Sequence, residues 1–271
     1  MTKHIIAEQT LMNEQSIPSS EITRLAFSGF AHFTALQVRN RMVKALDLHL
    51  NRLHKASIEL FGKTISDGVI RSYVRTAIEN GPADQSLTIT VYSVEGEFTT
   101  DSMDVLPKVL IRTGSPSNGP NGPLRLATVN YERPLAEIKH VGEIAKTYYL
   151  HQATRRGFDD AIFINKYGHL SEGTIWNLVF WDGETVIWPQ ASMLKGTMMQ
   201  MIQRQLELLE IPQRSETITL ERLQQLDGAA VMNSWTSGIA VSMIETKRFS
   251  QSEPLISLLQ KAYNAEPSET C

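Results

Sequence analysis

Midway along the chain, Gly114-Ser115-Pro116-Ser117-Asn118-Gly119-Pro120-Asn121-Gly122-Pro123 sets three glycines and three prolines within ten residues. Proline locks φ and carries no amide hydrogen, so neither a helix nor an interior strand runs through such a segment. We read it as a linker over 114–123. It separates an N-terminal α/β domain over 1–113 from a C-terminal α/β domain over 124–271. A long surface loop within one domain is the alternative. The length of 271 residues suits either reading, since roughly 150 residues per domain gives about two domains or one large one.

On each side of this segment the apolar pattern alternates between helix and strand periods. Residues 30–46 are rich in β-formers and are broken by Arg39-Asn40-Arg41, which predicts two strands and a turn. Leu46, Leu50, Leu53, Ser57 and Leu60 then recur at helical spacing, with Asp47 able to cap the start and Gly62 the end. A second helix is expected over 66–81, with strands over 87–91 and 109–111. Beyond the linker the pattern predicts strands over 124–131, 160–165 and 178–181, and a helix over 140–156. A hairpin at Asp182-Gly183 leads into a strand over 185–188. A helix over 194–209 follows, then a short helix near 219–226, strands over 229–232 and 239–244, and a last helix over 254–263. Hairpins in both halves make this a mixed α/β (α+β) chain rather than an alternating parallel one.

Composition narrows the classes of partner. Net charge is −3, with 26 basic and 29 acidic residues, so the strongly basic surface of a nucleic-acid binder is missing. The one cysteine is Cys271, which removes an internal disulfide and argues against a cysteine-based metal site. No run approaches the ~20 apolar residues that span a bilayer, and residues 1–14 lack the apolar stretch of a signal peptide. The expectation is a cytoplasmic protein with no nucleic-acid or membrane partner and no metal. The familiar phosphate-loop, dinucleotide, zinc and serine-nucleophile motifs are absent.

What remains is a series of polar segments. In order they are His49-Leu50-Asn51-Arg52-Leu53, Glu137-Ile138-Lys139-His140 and Gly157-Phe158-Asp159-Asp160-Ala161-Ile162. Ser171-Glu172-Gly173-Thr174-Ile175-Trp176-Asn177-Leu178, Leu194-Lys195-Gly196-Thr197-Met198-Met199 and Met232-Asn233-Ser234-Trp235-Thr236-Ser237-Gly238-Ile239 follow. Singly, each has a plain reading: Arg52 as surface charge on an amphipathic helix, Ser171-Glu172-Gly173 as an exposed turn, the methionines as core. Together and in this order they resemble the class IV (branched-chain aminotransferase-like, fold type IV) pyridoxal-phosphate enzymes. That family includes D-amino-acid aminotransferases and aminodeoxychorismate lyases. The resemblance runs from about residue 29 to 241.

The resemblance implies a two-domain α/β fold with pyridoxal 5'-phosphate in the interdomain cleft, and it implies a role for each segment. Arg52 would grip the cofactor phosphate, because a guanidinium pairs bidentately with phosphate oxygens and keeps its proton. Lys139 would form the Schiff base and act as catalytic base; burial and a nearby cation would keep it a free amine. Lys108, Lys146 and Lys195 are its rivals, and none sits in an equivalent motif. Glu172 would keep the pyridine nitrogen protonated, and Asn177 would help to hold the ring hydroxyl region. The amides of Thr197 and Met198 would bind phosphate at a helix start. Met199 stands where the family has arginine. In the last segment Trp235 occupies the place of a threonine, so a hydroxyl contact with the cofactor would come from Ser234 or Thr236.

Within the family the chain leans toward the aminodeoxychorismate lyase branch. Phe33-Thr34-Ala35-Leu36-Gln37-Val38, Ile138-Lys139-His140, Gly196-Thr197-Met198-Met199-Gln200 and the Asn233 loop are similar to the lyase segments. The strand over 89–94 lacks the arginine that traps the carboxylate in D-amino-acid aminotransferases. The alternative is an aminotransferase acting on a branched-chain or D-amino acid; a non-catalytic protein on this fold is a third class. Phe33, Thr34 and His140, with His32, are candidates for contact with a small-molecule amino substrate. The resemblance also implies a homodimer.

Overall fold

The computed structural model describes residues 10–12, 15–16, 29–93, 100 and 105–271. The chain forms two compact units. One comprises Met1–Ser117, Ile138–Gly142 and Pro267–Cys271, and the other Asn118–Glu137 and Glu143–Glu266.

The first unit contains β1 (Thr10–Met12), β2 (Gln15–Ser16), β3 (Ala31–Val38), β4 (Val43–Lys44), α1 (Leu46–Phe61), α2 (Asp67–Glu79), β5 (Gln85–Tyr92) and β6 (Lys108–Gly114). Its described residues form a five-stranded antiparallel sheet in the order β2-β1-β6-β5-β3. Alternate residues of β3 and β5 are buried. Leu36, Val38, Leu87, Ile89 and Val91 pack on Leu50 and Leu53 of α1 and Ile70 and Val74 of α2. Each such side chain contributes on the order of 1.5–3 kcal/mol relative to exposure.

The second strand predicted within 30–46 is only two residues long. Asn40 and Arg41 adopt positive φ at the turn, and Ala45 does so again at φ 52, which directs the chain into α1 at Leu46. Asp47 lies in the first turn of α1, with no side-chain cap at its start. A carboxylate there still favours the helix dipole. Gly62, at φ 67, ends the helix by donating its N–H to Ile58 O at 3.0 Å. A residue with a side chain would be strained in that left-handed conformation.

The helix expected over 140–156 is shorter at its start. Residues Ile138–Gly142 are extended against β3, with Phe33 N donating to Lys139 O and Val141 N to Ala31 O, both at 2.9 Å. These bonds satisfy the outer edge of β3 and hold Lys139 in the first unit, whereas the sequence reading set Lys139 within 124–271.

The second unit contains β7 (Leu124–Asn130), α3 (Ile144–Arg155), β8 (Asp160–Ile164), β9 (Leu170–Gly173), β10 (Asn177–Trp181), β11 (Val186–Pro189), α4 (Thr197–Leu208), β12 (Gln213–Glu216), α5 (Leu220–Leu223), β13 (Gly228–Asn233), β14 (Thr236–Ile244), β15 (Lys247–Arg248) and α6 (Ser252–Ala265). The final strand, β16 (Ser268–Glu269), pairs with β4 of the first unit. The sheet order β12-β11-β10-β13-β14-β7-β8-β9 is closed by pairing of β9 with β10 through Glu172 and Asn177. Strands β10, β13, β14, β7, β8 and β9 therefore make a barrel. Leu126, Ile162, Leu178, Phe180, Val231 and Val241 belong to its buried core. Gly119 lies against Thr236 and Ile239 of β14, so part of the glycine-proline segment packs on this unit: a Cβ there would meet Thr236 Cγ2 and Ile239 Cδ1, each at 3.3 Å. Among the described residues no helix is long and apolar enough to cross a membrane.

Candidate active site

The first unit brings Lys139, Phe33, Thr34, His49 and Arg52 into one neighbourhood. The backbone of Lys139 is pinned to β3, and its Nζ lies 4.7 Å from the centroid of the Phe33 ring. Phe33 and Ala35 occupy the half-buried face of β3, opposite Thr90 and Thr88 of β5. Thr34 points the other way: its Oγ1 is 2.7 Å from His49 Nδ1, and both side chains are buried. His32, next along that face, sets Nε2 2.9 Å from Ser57 Oγ of α1.

Burial, with smaller contributions from the cations Arg52 and Lys139 and with Asp47 opposing, lowers His49 to about 3. Burial alone takes His32 to about 4. Both imidazoles are neutral near pH 7. Two cations thus act on one neutral, buried histidine, an arrangement that suits an anion. His140 is half-buried and forms an isolated β-bridge with His32.

In the second unit Glu172 on β9 is 4% exposed and Asn177 on β10 is 5% exposed. Glu172 Oε1 accepts from Arg133 Nη1 at 3.2 Å and weakly from Leu194 N at 3.4 Å. Arg133 also donates through Nε to Glu143 and through Nη1 to Ala136 O, each at 2.6 Å. Burial raises the Glu172 carboxyl above its ordinary range, and Arg133 counteracts that rise. Lys146 on α3 also acts on Glu172 electrostatically.

The carboxamide of Asn177 clamps the loop before α4. Its Nδ2 donates to Leu194 O at 2.7 Å, and its Oδ1 accepts from Gly196 N at 3.1 Å. A Cβ at Gly196 would stand 2.0 Å from that Oδ1, so the loop closes this tightly only with glycine. Gly196 caps α4 without a side chain, which leaves the helix start to the amides of Thr197 and Met198. A helix start of this kind favours a phosphate or carboxylate.

Ser234, Trp235 and Thr236 form the tight turn between β13 and β14. Asn233 pairs with Thr236, and Asn233 Oδ1 accepts from Trp235 N at 2.9 Å. Met232, just before the turn, pairs with Asn177.

Pyridoxal phosphate requires a guanidinium or helix amides for its phosphate, an amine for its aldehyde and a carboxylate for its ring nitrogen. Groups of these kinds stand within each unit taken by itself: Arg52 and Lys139 in the first, and Glu172 and the amides after Gly196 in the second. Arg133 and Glu143 were missed by sequence reasoning. The one local signal was Arg133-Pro134 in a turn six residues before Lys139. The partnership with Glu172 spans 39 residues and has no local signature.

The family model for class IV aminotransferases matches residues 31–244, and the chain belongs to that family. It is a pyridoxal-phosphate-dependent enzyme. Similar solved structures include the branched-chain aminotransferase of Thermoproteus uzoniensis, at 18% identity and TM-score 0.83 over 95% of this chain and 94% of that one. A candidate 4-amino-4-deoxychorismate lyase of Legionella pneumophila is 20% identical with TM-score 0.82, covering 93% of this chain and 97% of that one. A hypothetical aminotransferase of Mycobacterium tuberculosis, solved in its PLP-bound form, is 18% identical with TM-score 0.80 over 96% and 99%. At these identities the likeness establishes the mixed α/β fold. No curated protein matches the chain significantly.

Proposed function

We propose that the chain is a 4-amino-4-deoxychorismate lyase, releasing p-aminobenzoate and pyruvate and so serving folate synthesis. Arg52 would bind the cofactor phosphate, as would the amides of Thr197 and Met198, with a hydroxyl from Ser234 or Thr236. Glu172, held by Arg133, would pair with the ring nitrogen and keep it protonated. Asn177 keeps the Gly196 loop closed. Once bound, the cofactor supplies an electron sink for the carbon that carries the substrate's amino group.

Lys139 would hold the cofactor aldehyde, and its free amine is the base that takes the proton from the amino-bearing ring carbon. The adjacent C–O bond breaks, the ring becomes aromatic, and the departing enolpyruvyl oxygen carries the electron pair. A proton returned to that fragment completes pyruvate, so no water or second substrate is consumed.

The observation that carries the lyase reading is the half-buried sheet face beside Lys139. There β3 and β5 present Phe33, Ala35, Thr88 and Thr90, with no guanidinium on β5 to trap an amino-acid carboxylate; Val94, at the end of the strand considered above, falls outside the described residues. Transamination of a branched-chain or D-amino acid is the second reading, favoured by the branched-chain aminotransferase neighbour, because Arg52, Lys139 and Glu172 serve both reactions. The enzyme works as a cytoplasmic homodimer, and a gel-filtration mass near 30.4 kDa would contradict the dimer.

The direct test mixes cofactor-loaded protein with freshly made aminodeoxychorismate and assays both products. Equimolar p-aminobenzoate and pyruvate, absent with Lys139→Ala, is expected. Neither product from a protein that retains its cofactor band would end the lyase reading.

A further inference from the structure

We propose that Trp235 selects the substrate by stacking on an unsaturated six-membered ring, so that the site prefers ring-bearing amines to aliphatic amino acids. This deepens the lyase reading and rests on it for the identity of the ring. A tryptophan in a tight turn usually gains by burial, yet Trp235 is 38% exposed. The turn holds it firmly, through the Asn233 Oδ1 bond to its amide and the pairing of Asn233 with Thr236.

A second indole braces it. Trp176 meets Trp235 edge to face, with centroids 6.4 Å apart and planes at 83°. Trp176 is itself immobilised: it is buried, and its Nε1 donates to Asp160 Oδ2 at 2.8 Å. Asp160, also buried, accepts from Thr174 Oγ1 at 2.6 Å and Ala161 N at 2.7 Å. Gly173 makes room for the brace, since a Cβ there would stand 3.3 Å from Trp176 Cβ and Cδ1. The buried carboxylate therefore fixes one indole, and that indole fixes the tilt of the next.

The register puts Trp235 beside the functional residues of its unit. Glu172 pairs with Asn177, Asn177 with Met232, and the turn that carries Trp235 begins one residue later. A braced, solvent-reaching indole at that end of the barrel offers a flat apolar face. A planar unsaturated ring gains offset stacking on such a face beyond simple burial, and a branched alkyl group does not.

The test measures equilibrium binding of two carboxylate probes, p-aminobenzoate and 4-methylvalerate, to the cofactor-loaded full chain by calorimetry. For Trp235→Leu we expect p-aminobenzoate to weaken by about tenfold and 4-methylvalerate by less than about twofold, while Trp235→Phe keeps most of the ring preference. Unchanged p-aminobenzoate affinity in Trp235→Leu, equal weakening of both probes, or no ring preference in the parent protein overturns the proposal. The product assay separates the two readings. A protein that shows the Trp235-dependent preference but forms no p-aminobenzoate keeps ring selection and loses the lyase assignment.

Discussion

Replacing Arg133 with methionine keeps much of the side-chain volume and removes the guanidinium that Glu172 and Glu143 share. Burial already drives the Glu172 carboxyl above its ordinary 4.5, with Arg133 the largest opposing influence. Without that cation burial pushes the Glu172 carboxyl further toward its neutral form, opposed by Lys146 and the Leu194 amide. The penalty at pH 7 is bounded by the proton uptake this requires, about 2.5 pH units at ~1.36 kcal/mol each, or about 3 kcal/mol. That lies at the lower end of the roughly 3–5 kcal/mol for breaking a buried ion pair. The pH dependence is the signature. With its folded pKa raised further above 4.5, the variant keeps its stability below pH 4.5 and loses it as pH rises. Its deficit against the parent is thus largest at pH 7 and shrinks toward pH 5. All four tryptophans lie in the second unit, so urea unfolding of cofactor-free protein followed by fluorescence reports on the unit concerned. Arg133→Met combined with Glu172→Gln should recover most of the loss. A deficit under about 1 kcal/mol, or one that does not vary with pH, would show that Arg133 does not hold Glu172 ionised.

Gly196→Ala should cut cofactor affinity about tenfold or more, because its Cβ cannot stand 2.0 Å from Asn177 Oδ1 without opening the loop; titration of the cofactor band measures it, and unchanged affinity would contradict the cradle. Acidification below pH 6.5 should loosen the first unit. His32 and His49 have folded values depressed to about 4 and about 3, so the stability they contribute is whole above 6.5 and is lost as pH falls toward those values. The loss is roughly 1.4 kcal/mol per pH unit for each. Hydrogen exchange in α1 reads this slope, which His32→Gln should about halve. Asp160→Asn should lose about 1–3 kcal/mol, since one amide oxygen cannot replace both carboxylate oxygens for Thr174, Trp176 and Ala161. A red-shifted Trp176 emission would accompany it, and a parental melting curve would argue against the clamp.

Features governed by neighbours in sequence were legible before the structure. The helical spacing of Leu46, Leu50 and Leu53 places His49 and Arg52 one turn apart on α1, and alternation over 87–91 yields β5. Features governed by distant partners were not. The segment at Lys139 carries helix-compatible residues, yet hydrogen bonds to the edge of β3 keep it extended. Strand β9 has four residues, all buried, so no alternation marks it, and its pairing with β10 closes the barrel. The Arg133–Glu172 pair is equally non-local, and a buried arginine cannot be told from a surface one by composition. Motif order pointed to Lys139 and Glu172, while the groups that orient Glu172 needed the folded chain.

Lys139 is the amine proposed to take the cofactor. Borohydride reduction of the pyridoxal-phosphate-loaded protein, followed by peptide mass mapping, tests it most directly. One phosphopyridoxyl label is expected, on the peptide holding Lys139, together with a colourless Lys139→Ala protein. A label on Lys146, Lys195 or Lys108 instead, or no label on protein saturated with cofactor, would contradict it.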